Sequence, residues 1–216
     1  MRTGAKQDSQ ISNALIAAQL DIQKAGYGVE AASNSCLGAT TPGPSAKANT
    51  HLVLISSAAL ATPLPAASST LSGTGETIGA SGATAVTGSA LVWHWVQPGD
   101  SGNPDANLCS GLVVVPKDPQ NPALGTGLVR LAGTNCTVPS NGGTPWWSTQ
   151  TWSMETLIEP GSLPSGKAIT FSAERGSCVP FGAGTPTSAV LVTITGDNST
   201  GALTSSTTLC LPNICQ

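Results

Sequence analysis

Charge is scarce in this sequence. Lys and Arg number 8 and Asp and Glu 11, so charged residues are 9% of 216, where soluble domains usually carry about 25%. That shortage excludes a coiled coil, a charged solvated tail and a polycation for nucleic acid. The formal net charge is −3 and no basic cluster occurs, so no nucleic-acid partner is expected. Histidine is almost missing, with His51 and His94 alone, and no Cys-x-x-Cys pair exists. The close ligand couples of a zinc site are therefore absent. With one Tyr and two Phe, the five Trp are most of the aromatic core available. There is no apolar run of the roughly 18 residues that a membrane-spanning helix needs. The opening Met1-Arg2-Thr3-Gly4-Ala5-Lys6-Gln7 is polar and is no signal peptide.

What remains is a chain of small residues with enough Trp and Cys to bury a core. Gly 25 and Pro 16 fall short of the roughly 25–30% that marks disordered low complexity, and the length suits one domain. Six cysteines, at 36, 109, 136, 178, 210 and 215, are spread in a way that fits disulfides and an oxidising compartment. An oxidised chain without an export signal is a contradiction. It is resolved if the native protein begins further upstream.

Ile11, Leu15, Ala18, Ile22 and Ala25 recur at spacings of 4, 3, 4 and 3, an apolar stripe along a helix. Ile16 and Leu20 form a second, shorter strip, which hints at a further partner beside the domain's own core. Gly26 after Lys24-Ala25 stops the helix. Strands are expected over His51 to Ser56, Ala90 to Val96, Gly111 to Val115, Gly127 to Ala132, Ala168 to Ser172, Ser188 to Thr195 and Leu203 to Cys210. In the Ser188 to Thr195 stretch Val190, Val192 and Ile194 alternate with Thr, a half-buried pattern. One helix followed by strands reads as α+β: an N-terminal amphipathic helix packed on an antiparallel β-sheet head with long loops, disulfide-bonded. The organisation expected is a helical segment over 1–28 and a β-rich head over 29–216.

Motifs that might carry chemistry lack their context. Gly99-Asp100-Ser101-Gly102 looks like the nucleophile loop of chymotrypsin-like proteases, but the acids between His51 and Ser101 are Glu76 and Asp100 alone, and Asn103-Pro104 replaces the next Gly. Asp100, Asn103 and Asp105 offer oxygen ligands of calcium type in a short loop, with a plain Asx turn as the default. No other metal or cofactor is expected. Trp93 and Trp95 share one strand face and, with Trp146 and Trp147, could stack a sugar. Trp152 could add to them, although core packing is the simpler use of so few aromatics. His94 reads as a satisfied half-buried residue. Gly73-Thr74-Gly75-Glu76-Thr77-Ile78-Gly79 has no Lys and fails as a phosphate loop. No enzyme is expected.

The segment Leu15-Ile16-Ala17-Ala18-Gln19-Leu20-Asp21-Ile22-Gln23-Lys24-Ala25-Gly26-Tyr27 resembles the close of the N-terminal helix in type IV minor pilins of the PilW type. More distantly it resembles the J-type minor pseudopilins of type II secretion. Thr207-Thr208-Leu209-Cys210-Leu211-Pro212-Asn213 resembles their closing strand, with Pro212 where that family often has Arg. The resemblance implies a structural protein that helps initiate a filament and sits at its tip. It implies other minor and major pilins or pseudopilins as partners. Residues 1–28 would be the C-terminal half of the helix, whose upstream half anchors the protein in the inner membrane. The head would lie in the periplasm before assembly and at the cell-surface pilus tip afterwards. Six cysteines allow fifteen pairings and the sequence does not choose among them. The pairing adopted as an expectation is 210–215, 109–136 and 36–178. The alternative function is a secreted carbohydrate-binding or adhesin domain using the Trp residues. A hydrolase around Ser101 stands third.

Overall fold

The structure, a computed structural model, describes residues 2–29, 47–79, 81–100, 104–137, 145–163, 169–179, 185–197 and 204–214. Helix α1 (Arg2–Ile22) turns its apolar stripe inward: Ile11, Leu15, Ala18 and Ile22 are buried, as are Ala14 and, in the turn that follows, Ala25. Gly26 ends it in the left-handed region at φ 72°. A Cβ there would lie 2.9 Å from Asn213 O, so the tight approach of the 3-10 turn Pro212–Ile214 also demands glycine. Two one-turn helices follow, α2 (Lys47–Thr50) and α3 (Trp146–Thr149).

Eleven strands form two antiparallel sheets among the described residues. They are β1 (Leu52–Leu60), β2 (Ser68–Ser69), β3 (Leu71–Glu76), β4 (Val86–Gly88), β5 (Ala90–Gln97), β6 (Ala106–Pro116), β7 (Thr126–Thr134), β8 (Trp152–Leu163), β9 (Thr170–Cys178), β10 (Thr187–Asp197) and β11 (Thr204–Leu211). The larger sheet runs β2-β8-β7-β6-β5-β1-β3 and the smaller β11-β10-β9-β4. The larger sheet curls on itself. Its two edge strands, β2 and β3, are separated only by Thr70, so a single segment pairs first with β8 and then with β1. Curling in this way removes most of the open edge.

Alternation along the strands then fills two cores. Leu52, Leu54, Leu91, Trp93, Leu112 and Val114 face outward from the curl onto α1 and the smaller sheet, meeting Phe171, Val190, Val192 and Leu209. Val53, Ile55, Ala90, Val92, Val113 and Val115 point into the curl. Both faces are buried, which is why Leu52–Ile55 and Leu112–Val115 read as unbroken apolar runs. The interior is completed by Trp146, Trp147 and Trp152. Trp152 Nε1 donates to Trp147 O at 3.0 Å and Trp146 Nε1 to Thr50 O at 2.7 Å. Trp93, buried like these three, lies on the outer face of the curl.

The expected α+β class is corrected by this arrangement. Strands make up 55% and helices 16%, and the protein is mostly β. The reason is that the curl encloses a core of its own without help from a long helix; α1 covers part of its outer face, against β8 and β6. Two disulfides are present among the described residues. Cys109 is bonded to Cys136 with their Cα atoms 5.9 Å apart, as expected. Cys178 is bonded to Cys210 with Cα atoms 6.0 Å apart, which overturns 210–215 and 36–178. The bond joins the end of β9 to β11 within the smaller sheet, a pairing of segments 32 residues apart that no local pattern marks. Cys36 and Cys215 lie outside the described residues.

Candidate functional site

The end of α1 is held by an ion cluster. Asp21 is 7% exposed, and Arg130 of β7 reaches it side-on, Nε to Oδ2 at 2.7 Å and Nη2 to Oδ1 at 3.0 Å. Two parallel charge-assisted bonds of this kind fix orientation as well as position. Lys24 Nζ adds a contact to Asp21 Oδ1 at 2.9 Å, and Arg130 Nη1 reaches Glu155 Oε2 at 3.3 Å. Lys24 Nζ also stands 5.5 Å from the Trp95 ring centroid, within cation–π range. Beyond the helix, Gly26 N–H donates to His94 O and Val96 N–H to Tyr27 O, at 3.0 and 2.8 Å. The helix end is thus tied to β5, β7 and β8.

A helix so anchored presents its outer face rigidly. Ile16 is 54% exposed and Leu20 61%, one turn apart, and Tyr27 further on is 53% exposed. Beside Ile16 runs a groove of about 610 Å³ between the helix residues Ser12 and Gln19 and the strand residues Asp197, Ser205 and Thr207. The second strip therefore belongs to neither core, while the first stripe of Ile11, Leu15, Ala18, Ile22 and Ala25 belongs to the outer one.

The histidines come together, which their separation in sequence does not announce. His51 Nδ1 and His94 Nδ1 are 3.1 Å apart. One nitrogen must donate and the other accept, so the bond requires at least one neutral ring. His94 is buried and its Nε2 has no partner among the described residues. Burial lowers its pKa, opposed in part by the nearby polar side chain of Asn107. The unfolded chain, with histidine near about 6.5, then binds more protons than the folded one just below that pH. Stability should be full above pH about 6.5 and fall as pH drops toward the lowered pKa of His94. Urea denaturation between pH 7.5 and 5.5 should show this slope, and His94→Gln should flatten it. An equal slope in the variant would assign it to other groups.

The remaining candidates are dispersed. Trp93, Trp146 and Trp147 are buried and Trp95 is half-buried under Lys24. Their rings do not form the exposed platform that the sugar-stacking alternative requires. In the acidic loop Asp100 and Asp105 are exposed, and Asp105 Oδ1 accepts from Gly99 N–H at 2.9 Å, an ordinary turn contact. Asn103 and Ser101 lie outside the described residues. No group of three or more His, Cys, Asp or Glu able to hold a metal occurs among the described residues. Glu76 accepts from Ser56 Oγ–H, and its glycine-rich segment is largely β3, running close beside β1. Sequence reasoning missed the Asp21–Arg130 fork; 109 residues separate the partners and no local pattern marks it. Among the described residues no helix is long and apolar enough to cross a membrane. No protein-family model, curated protein or solved structure matches the chain.

Proposed function

We propose that this protein is a structural, non-enzymatic subunit of a type IV pilus or related filament, a minor pilin or pseudopilin of the PilW type that helps initiate assembly and sits at the tip. The observation that carries the reading is the exposed pair Ile16 and Leu20 on a helix whose other stripe is spent on the core and whose end is clamped by Asp21 and Arg130. A rigid apolar strip of this kind suits a neighbouring subunit better than solvent. The scarcity of charge supports it too, because a surface of small polar side chains packs against neighbours at low desolvation cost. The two disulfides suit a head outside the cytoplasm. Partners are other minor and major pilins. The inner membrane is reached through a helix upstream of Arg2, with the head in the periplasm first and at the cell surface after assembly.

Pull-down with other minor pilins tests the reading. The native chain should recover a complex, and Ile16→Asp with Leu20→Asp should weaken it by about a hundredfold, since burying each charge at an apolar contact costs at least about 1–2 kcal/mol. Both residues are exposed, so the melting temperature of the isolated chain should hold. An unchanged complex, or a native N-terminus generated by ordinary signal-peptide removal near Ala5, would sink the proposal.

A further inference from the structure

The smaller sheet ends in an unguarded strand. Strand β11 is outermost in the order β11-β10-β9-β4, and it pairs with β10 in unbroken register from Thr204 against Asp197 to Leu211 against Val190. Its other edge makes no backbone hydrogen bond among the described residues. Proteins usually blunt such an edge with a lysine, a proline, a bulge or a very short strand. The opposite edge strand, β4, spans three residues, whereas β11 spans eight. Its sequence, Thr204-Ser205-Ser206-Thr207-Thr208-Leu209-Cys210-Leu211, holds no charge and no proline, and its ladder has no bulge.

The groove of about 610 Å³ beside Ile16 is bounded by this same strand. Alternation along β11 turns Ser205 and Thr207 to the α1 side with Leu209 and Leu211. Ser206 and Thr208 lie on the other face, where their hydroxyls meet those of Thr195 and Thr193. Leu209 and Leu211 are large enough to join the outer core. Ser205 and Thr207 are not, so the groove opens where the side chains of β11 shrink, and Ile16 stands half exposed on its helix side. A strand added beyond β11 continues the pleat and turns every second side chain to the face on which this groove lies.

We propose that β11 and the groove beside it receive an extended segment of a partner protein by strand addition, its main chain pairing with the free edge and an apolar side chain seated against Ile16. The charged side chains lining the groove are Asp8 and Asp197, so a segment with a basic residue is favoured over an acidic one. A second copy of this chain fits less well. Two-fold pairing of β11 with itself would offer the groove only Ser205 and Thr207 and would bring two acidic grooves to one face of the joined sheet. The site rests on the filament reading only in sharing Ile16. Its test needs no pilin, so either reading can fail alone.

The probe is a short capped peptide that alternates Val with Thr and carries one Lys, titrated into the whole chain. Anisotropy of a label on the peptide reads binding, and amide hydrogen exchange reads its place. Binding should be saturable, and the outward amides of β11, which exchange freely in the chain alone, should become protected. N-methylation at alternate residues places every methyl on one edge of the peptide and leaves all side chains in place. Of the two forms so made, one should bind about tenfold or more weakly and the other normally. Ile16→Asp should weaken the unmodified peptide by about tenfold. Equal binding by both methylated forms would overturn strand addition, as would no binding at about 1 mM peptide. Protection of the β11 amides without peptide would show the edge already taken, by a second copy if it grows with chain concentration, and would overturn the proposal.

Discussion

Replacing Trp152 with Ala should destabilise the fold by about 3–5 kcal/mol. Trp152 is fully buried inside the curl at the start of β8. Its ring is tilted against Trp146 at 6.1 Å between centroids, and its Nε1 satisfies Trp147 O at 3.0 Å. Truncation removes one of the three Trp side chains of the inner core, leaves a cavity that strands locked in a closed curl cannot collapse to fill, and strands a carbonyl. The surrounding core offers few substitutes, since the chain has only two Phe and one Tyr. Trp152→Phe keeps most of the volume and loses the hydrogen bond, so it should cost about 1–2 kcal/mol. Urea denaturation measures both. With total stabilities of about 5–15 kcal/mol for domains of this kind, the Ala variant should lie near the edge of folding at 37 °C. A loss below about 1.5 kcal/mol for the Ala variant would mean that the interior is not packed as described.

Gly127→Ala should cost about 3 kcal/mol or more, although it adds one methyl group. Gly127 sits in β7 where the pairing with β8 changes register between Thr126 and Leu128. A Cβ at this position would run into Ile158 O, Pro160 N at 2.6 Å and Glu159 C at 2.7 Å. All three are backbone atoms, so no side chain can swing aside and the β7–β8 ladder itself must part. Gly82→Ala is the control. Gly82 has φ 85° but nothing within 4 Å of an added Cβ, so that substitution should cost only the left-handed strain of about 1–2 kcal/mol. Equal losses at the two positions would show that conformational strain, and not close approach of the strands, governs Gly127.

Much of the β structure was legible in the sequence, for reasons that can be named. The stretches read as strands from local pattern fall within or overlap β1, β5, β6, β7, β10 and β11, and touch β9 only over Thr170–Ser172; Ala168 and Leu203 lie outside the described residues. Strand β8 escaped because Glu155, Glu159, Pro160 and Gly161 interrupt it. It holds together in the structure because β7 pairs with it through a bulge that accommodates Pro160. Strand β3 escaped because Leu71-Ser72-Gly73-Thr74-Gly75-Glu76 reads as a flexible loop. Gly73 is there for close passage: a Cβ on it would meet Ser56 O at 2.9 Å. At the candidate surface, Ile16 and Leu20 stood out as a second strip by helical spacing alone. The clamp that makes the strip rigid did not, because its partners Asp21 and Arg130 are 109 residues apart.

The sequence by itself determined the local properties: where α1 ends and which of its residues go inward, which stretches are extended, and that so weakly charged a chain must live by burial. Each follows from periodicity and composition over a few residues, where backbone geometry dictates which side chains share a face. Tertiary structure alone decided that the larger sheet curls until β2 and β3 meet at Thr70, that Cys178 pairs with Cys210, that His51 meets His94 and that Arg130 holds Asp21. These depend on strand order and register between segments far apart in the chain. Contacts of that kind are selected by the packing of the whole core and leave no mark in the residues on either side of them.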